Sequence, residues 1–233
     1  MASSVSDDTR PPTPTAMAKS AKIVVAGGFG VGKTTLVAAV SEIASINTDR
    51  WMSPNHPVDQ MDAGLGKTTT TIGMDFGRIT LPGTGLVLHL FGTPGQPRFW
   101  PVWDDICRGA LAAIVLVDTR PGPIPGGNRI AVSWPAVEYF DLDTDIPFVM
   151  AVNRFGGRAT HPLPAVRAAL RLPAETPITE VDARDPTSVK QTLIFAVRHA
   201  LNHYQSTDTV PGIRRREPHA EPIGEILTKG HPQ

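Results

Sequence analysis

Six residues carrying four glycines, Gly27-Gly28-Phe29-Gly30-Val31-Gly32, stand early in the chain and are followed at once by Lys33, Thr34 and Thr35. Upstream lies Ile23-Val24-Val25-Ala26, a short, mostly β-branched run that predicts a buried strand. Downstream, residues 34–45 contain neither Gly nor Pro and predict a helix. A strand that enters a glycine turn and leaves as a helix makes a particular geometry. Residues without a Cβ let successive backbone N–H groups converge on one concave spot, and the helix start adds its positive end there. Lys33 contributes a full cation, and Thr34 contributes a hydroxyl suited to the oxygen shell of Mg²⁺. Residues Gly27 through Thr35 therefore predict a phosphate site, with Thr34 as a metal ligand. The spacing of Gly27, Gly32, Lys33 and Thr34 arises by chance in roughly 1% of chains this long, so the flanking strand and helix decide against coincidence.

The alternation of strand and helix patterns continues. Residues 70–81 and 86–91 read as a hairpin closed by the turn signal Pro82-Gly83-Thr84-Gly85. Residues 111–117 and 146–152 are continuous apolar strands, 178–181 is a weaker one, and 188–204 is a long amphipathic helix. Such strands need cover on both faces. The expectation is an α/β fold: a six-stranded, mostly parallel sheet with one antiparallel edge strand and about five flanking helices. Residues 121–127, rich in Pro and Gly, predict a surface loop before a helix near 134–140. Residues 1–20 and 206–233 are polar and proline-bearing and predict disordered arms around one domain at 21–205. The run Arg214-Arg215-Arg216 in the second arm reads as solvated charge.

Charge and cysteine use narrow the function. Lys+Arg and Asp+Glu are both 22, so the chain lacks the cation excess of a bulk nucleic-acid binder. Cys107 is alone, which excludes an intrachain disulfide and fits a reducing compartment. No apolar stretch reaches the roughly 18–20 residues that span a bilayer, and no signal or lipidation motif is evident. A cytoplasmic protein is expected, touching membranes only through partners.

Four further segments complete a resemblance. Thr68-Thr69-Thr70-Thr71-Ile72-Gly73-Met74-Asp75-Phe76, Gly92-Thr93-Pro94-Gly95-Gln96, Asn153-Arg154-Phe155-Gly156 and Asp182-Ala183-Arg184 follow the glycine turn in fixed order. The set resembles the P-loop, switch I, switch II and base-contact loops of Ras-like small GTPases. With Trp103-Asp104-Asp105 and Val117-Asp118-Thr119-Arg120, it is similar, more narrowly, to the GTPase-like members of actinobacterial conservon gene sets, related to the gliding-motility class of bacterial Ras-like GTPases. The resemblance spans residues 20–204. It implies a switch that binds GTP with Mg²⁺ and hydrolyses it slowly to GDP. Thr71 would ligate the metal, or Thr69 or Thr70 if the register slips. Gly95 would offer its N–H to the γ-phosphate beside Lys33, and Gln96 would orient the attacking water. Asn153, Arg154, Asp182, Ala183 and Arg184 would contact the base. The implied partners are a small roadblock-type regulator and a membrane sensor kinase.

Two departures stand out. Gly92 takes the place of a switch II aspartate that serves the metal, and Gly156 takes the place of an aspartate that pairs with guanine. The first opens the alternative of a nucleotide-binding module without hydrolysis. The second opens a P-loop ATPase with relaxed base specificity. Arg50 and Arg98 are candidate arginines for charge stabilisation, with ordinary solvated arginine as the competing reading. His199 and His203, four apart without an intervening glutamate, read as helix surface rather than zinc ligands. His89 reads as a core histidine and Cys107 as a small buried hydrophobe. Trp100 and Trp103 read as core packing, or as a partner surface exposed in one nucleotide state.

Overall fold

The computed structural model describes residues 19–44, 46–47, 74–81, 83–95, 101–122, 129–156 and 161–207. The expected arms at 1–20 and 206–233 lie almost entirely outside these residues; β1 (Ser20–Ala26) begins at the first boundary and α5 (Pro186–Thr207) ends just past the second. Between them the chain forms α1 (Lys33–Val40), β2 (Ile46–Asn47), β3 (Asp75–Thr80), β4 (Val87–Gly92), α2 (Trp103–Cys107) and β5 (Ala110–Asp118). Then follow α3 (Trp134–Glu138), β6 (Phe148–Asn153), α4 (Leu163–Ala169) and β7 (Ile178–Val181). A 3₁₀ turn (Ile130–Ser133) leads into α3, and a π turn (Tyr139–Asp143) continues it.

The strands make one sheet in the order β2-β3-β4-β1-β5-β6-β7. Strands β4, β1, β5, β6 and β7 run parallel, and β3 is antiparallel to β4. The six expected strands form as an α/β sheet, and the two-residue β2 extends it beyond β3. Strand β5 shows why continuous apolar runs were needed. Its alternate side chains Ala112, Ile114 and Leu116 join one core with α1 and α5. Ala113, Val115 and Val117 join the opposite core with α2, α3 and α4. Period-two alternation therefore feeds two cores from one buried strand.

Helix α1 is shorter than the 34–45 expected from the absence of Gly and Pro. It ends at Val40 because β3 captures the next residues. The Glu42 N–H donates to the Arg78 carbonyl at 2.7 Å, and the Arg78 N–H donates to Ser41 Oγ at 3.3 Å. The Glu42 carboxylate accepts from the Thr80 N–H at 2.7 Å and its hydroxyl at 3.0 Å, which also holds that carboxyl below its ordinary range. Tertiary hydrogen bonding to a sheet edge overrides local helix preference here.

The loop at 121–127 lies mostly outside the described residues; the Arg129 N–H returns to the Arg120 carbonyl at 3.3 Å. His89 is half-buried on β4 and stacks on Phe76 with ring centroids 6.1 Å apart, a surface-facing place rather than the core site expected. Trp103 is buried and donates from Nε1 to the Pro94 carbonyl at 3.2 Å, the packing role; Trp100 lies outside the described residues.

Gly77 lets α1 close on β3, since a Cβ there would lie 2.7 Å from Val37 Cγ1 and 3.2 Å from Ser41 Cβ. Gly77→Ala is expected to destabilise the fold by roughly 1–3 kcal/mol, the usual cost of overpacking a close contact. A urea titration of both proteins measures it as a lower unfolding midpoint.

Candidate functional site

All parallel strands end on the same side of the sheet; the chain leaves β1 for the β2–β3–β4 side, and the next crossover, after β4, passes back beyond β1 to β5. A cleft at that switch point is where open α/β sheets bind ligands. The glycine turn sits there. Gly32 forms the N-cap of α1 at φ +106°, a left-handed conformation that explains the glycine. The Lys33 side chain is buried, and its ammonium donates to the carbonyls of Gly27 at 2.9 Å and Gly28 at 2.7 Å. Gly30, Thr34 and Thr35 line a cavity of about 380 Å³ with Lys33. Phe29, 73% exposed, forms part of its rim. Val31 is fully buried, and its carbonyl faces inward.

Asn153 at the end of β6 binds this turn to the rest of the site. Its Nδ2 donates to the Val31 carbonyl at 2.9 Å, and its Oδ1 accepts from the N–H groups of Phe155 at 3.4 Å and Ala183 at 3.2 Å. One buried amide thus holds three loops. Arg154 points elsewhere: its Nε pairs with Glu180 of β7 at 3.5 Å. The Asp182 carboxylate accepts from the Arg184 N–H at 3.1 Å and Nε at 3.4 Å. The Arg184 backbone N–H is the main cause that holds the Asp182 carboxyl below its ordinary range, against a burial penalty.

The opposite flank is built by β3, β4 and the start of the loop after β4. Gly95 lies against the glycine turn, so close that a Cβ on it would be 2.8 Å from Lys33 Nζ and 2.8 Å from the Phe29 nitrogen. The Thr34 hydroxyl donates to Asp75 Oδ2 at 2.7 Å. Asp75 is 8% exposed and faces Gly92 across the β3–β4 ladder. A Cβ at Gly92 would lie 2.9 Å from Asp75 Oδ2, so the carboxylate missing from position 92 is offered by the opposed residue. Among the described residues there is no cluster of three or more His, Cys, Asp or Glu. A hydroxyl and one carboxylate form the hard-oxygen, low-charge set that Mg²⁺ accepts while keeping phosphate and water in its other positions. Those residues fit the metal, and would hold and neutralise it beside the outer phosphates.

Asp75 and Arg120 were not singled out in the sequence. Counting outward from the 82–85 turn pairs Thr80 with Val87 and therefore Asp75 with Gly92, a signal that was present. Arg120 lines the cavity with its guanidinium 3.5 Å from the Phe155 ring centroid, anchored to buried Asp118 at 2.9 Å. In the sequence Arg120 stood only within the segment Val117-Asp118-Thr119-Arg120, with no role of its own. Thr71, Gln96, Arg50 and Arg98 lie outside the described residues. His199 and His203 lie on α5, and burial lowers the His199 pKa.

The fold, the glycine turn and the buried lysine define a P-loop nucleotide-binding protein. A family model described as "conserved hypothetical ATP binding protein" matches residues 25–203, and the chain belongs to that family. It is also 31% identical over 101 residues to an uncharacterized protein of Methanocaldococcus jannaschii, a match covering 43% of this chain. The chain spans about half the length of that curated relative, 53%. Among the described residues no helix is long and apolar enough to cross a membrane.

Two outcomes follow from this geometry. Asp75→Ala is expected to weaken magnesium-dependent nucleotide binding at least about tenfold, the scale of a lost charge-assisted contact. Asp75→Gly combined with Gly92→Asp should recover part of it, read by titrating a fluorescent nucleotide with and without Mg²⁺. Cys107 is fully buried, and burial pushes its thiol up to about 12. At pH 8 it should react with a thiol reagent only as fast as the protein unfolds.

Proposed function

We propose that this protein is a magnesium-dependent nucleotide switch that binds a purine nucleoside triphosphate, GTP included, and hydrolyses it slowly to the diphosphate. The observation that carries the reading is the contact between the two halves of the site. The Lys33 ammonium is held by the Gly27 and Gly28 carbonyls, and Gly95 rests against it. Anionic phosphate oxygens compete for that ammonium better than neutral carbonyls do. A γ-phosphate between Lys33 and Gly95 would have to displace the loop after β4, whereas a diphosphate would leave it in place. The loop position would then report the nucleotide state, as in switches held by a terminal phosphate.

Hydrolysis under this reading rests on positioning and electrostatics. Lys33 and Thr34 fix the phosphates, the Gly95 N–H offers a donor to the terminal oxygens, and Gln96 orients water. Thr71 would add a second hydroxyl to the metal side. Mg²⁺ supplies charge neutralisation when bound. The narrower likeness to conservon GTPase-like proteins supports a place in a signalling complex with a roadblock-type regulator and a membrane sensor kinase. Both partners belong to the proposal.

The second reading, nucleotide binding without turnover, is favoured by Asp75 being the one carboxylate that the described residues bring to Thr34. Phosphate release from GTP and ATP by the full chain separates the two. Slow release is expected from the wild type, none from Lys33→Ala through loss of binding, and a fall of at least about tenfold in Gln96→Leu with binding retained. Equal rates in all three would contradict hydrolysis at this site, and bound nucleotide with no release would select the second reading.

A further inference from the structure

Among the described residues, Thr34, Thr35 and Thr93 bring hydroxyl groups to the lining of the cavity. The first two are accounted for. Thr34 donates to Asp75 Oδ2 at 2.7 Å, and Thr35 is exposed, so water meets its hydroxyl. Thr93 differs. It is 2% exposed, and its Oγ1 is closed off from solvent with no hydrogen-bond partner among the described residues. A buried hydroxyl without a partner has lost its water and gained nothing in return, so it destabilises the arrangement that leaves it so. Such a group in a native protein calls for a cause.

The backbone around Thr93 is held on both sides. Its N–H donates to the Val25 carbonyl at 2.9 Å, one step past the Val25–Gly92 pair of the β1–β4 ladder. The carbonyl of the next residue, Pro94, accepts from the Nε1 of buried Trp103 at 3.2 Å. A proline also narrows the backbone choices of the residue before it. Thr93 is therefore pinned beside the cavity, and a partner has to come to its hydroxyl. Two residues on, Gly95 lies against Lys33 and the glycine turn. A terminal phosphate entering between Lys33 and Gly95 would shift that glycine while β1 and Trp103 keep Thr93 in place.

We propose that the Thr93 hydroxyl is a binding group for the terminal phosphate: it is unpaired while Gly95 rests on the glycine turn, and it donates to a phosphate oxygen once that glycine is displaced. A hydrogen bond to an anionic oxygen is stronger than one to a neutral acceptor. The unpaired hydroxyl destabilises the closed loop, and its pairing stabilises the displaced one. Both effects favour a triphosphate, which displaces the loop, over a diphosphate, which leaves Gly95 in place and the hydroxyl unpaired. Thr93 thereby determines specificity for the number of phosphates. The inference rests on the nucleotide-switch reading.

The test titrates the full chain with GTP, GDP, ATP and ADP in the presence of Mg²⁺, for wild type, Thr93→Val and Thr93→Ser, beside urea unfolding of each nucleotide-free protein. Valine keeps the shape and removes the hydroxyl, so Thr93→Val should unfold at the same or a higher urea concentration than wild type. It should bind triphosphates about tenfold more weakly and diphosphates within about threefold of wild type. Thr93→Ser keeps the hydroxyl and should hold triphosphates within about threefold of wild type. A Thr93→Val protein that unfolds earlier, or does not fold, shows that the hydroxyl has a partner without nucleotide, and overturns the proposal. So does a loss shared equally by tri- and diphosphates, no loss at all, or a Thr93→Ser protein as weak as Thr93→Val. In each of these cases wild-type binding leaves the switch reading standing. Failure of every nucleotide to bind the wild type overturns both.

Discussion

The Asn153 side-chain amide is the tie on which the geometry of the site depends. It spends its donor on the Val31 carbonyl of the glycine turn and its acceptor on the loops after β6 and β7. A backbone turn with a left-handed Gly32 has no regular ladder to hold it, so its shape has to be fixed from outside. The amide does this from a buried position, where each satisfied hydrogen bond is costly to break. Lys33 then lies within the turn, and the start of α1 points at the space it leaves. The phosphate site is thus a property of the sheet's carboxyl edge as a whole, with β1, β6 and β7 all contributing.

The two departures from the Ras-like pattern are answered differently. On the flank that would hold a metal, antiparallel pairing replaces chain position: Asp75 on β3 occupies the room left by Gly92 on β4 and reaches Thr34. A hard cation responds to oxygen placement and charge rather than to which strand supplies them. On the other flank, no carboxylate among the described residues stands at the place left by Gly156. Gly156 leaves room for the Arg184 guanidinium, which Asp182 pairs with from β7's end. The phosphate end and the base end of one cleft can therefore diverge independently, because separate loops build them.

Much of the fold was readable from apolar periodicity. The four-residue segment 178–181 and the long runs of β5 and β6 are nearly where their patterns put them, because strands buried on both faces tolerate few polar residues. The end of α1 was not readable. Ser41 and Glu42 suit a helix locally, and only their hydrogen bonds to β3 pull them out of it. The glycine turn was evident because its chemistry is carried by contiguous residues. Asp75 and Arg120 were harder, since each acts through a neighbour across the sheet or along a loop. Arg154 shows the converse: adjacency to Asn153 in sequence implied a base contact, yet an acidic partner on β7 draws its side chain to the edge.

Calorimetric titration of the intact protein with GTP and with ATP, each with Mg²⁺ and with chelator, tests the central claim most directly. The account predicts saturable binding of at least one of the two, weakened at least about tenfold by chelation and abolished in Lys33→Ala. Heat of binding that is the same in the Lys33→Ala protein, or no binding by a folded wild type, would contradict it.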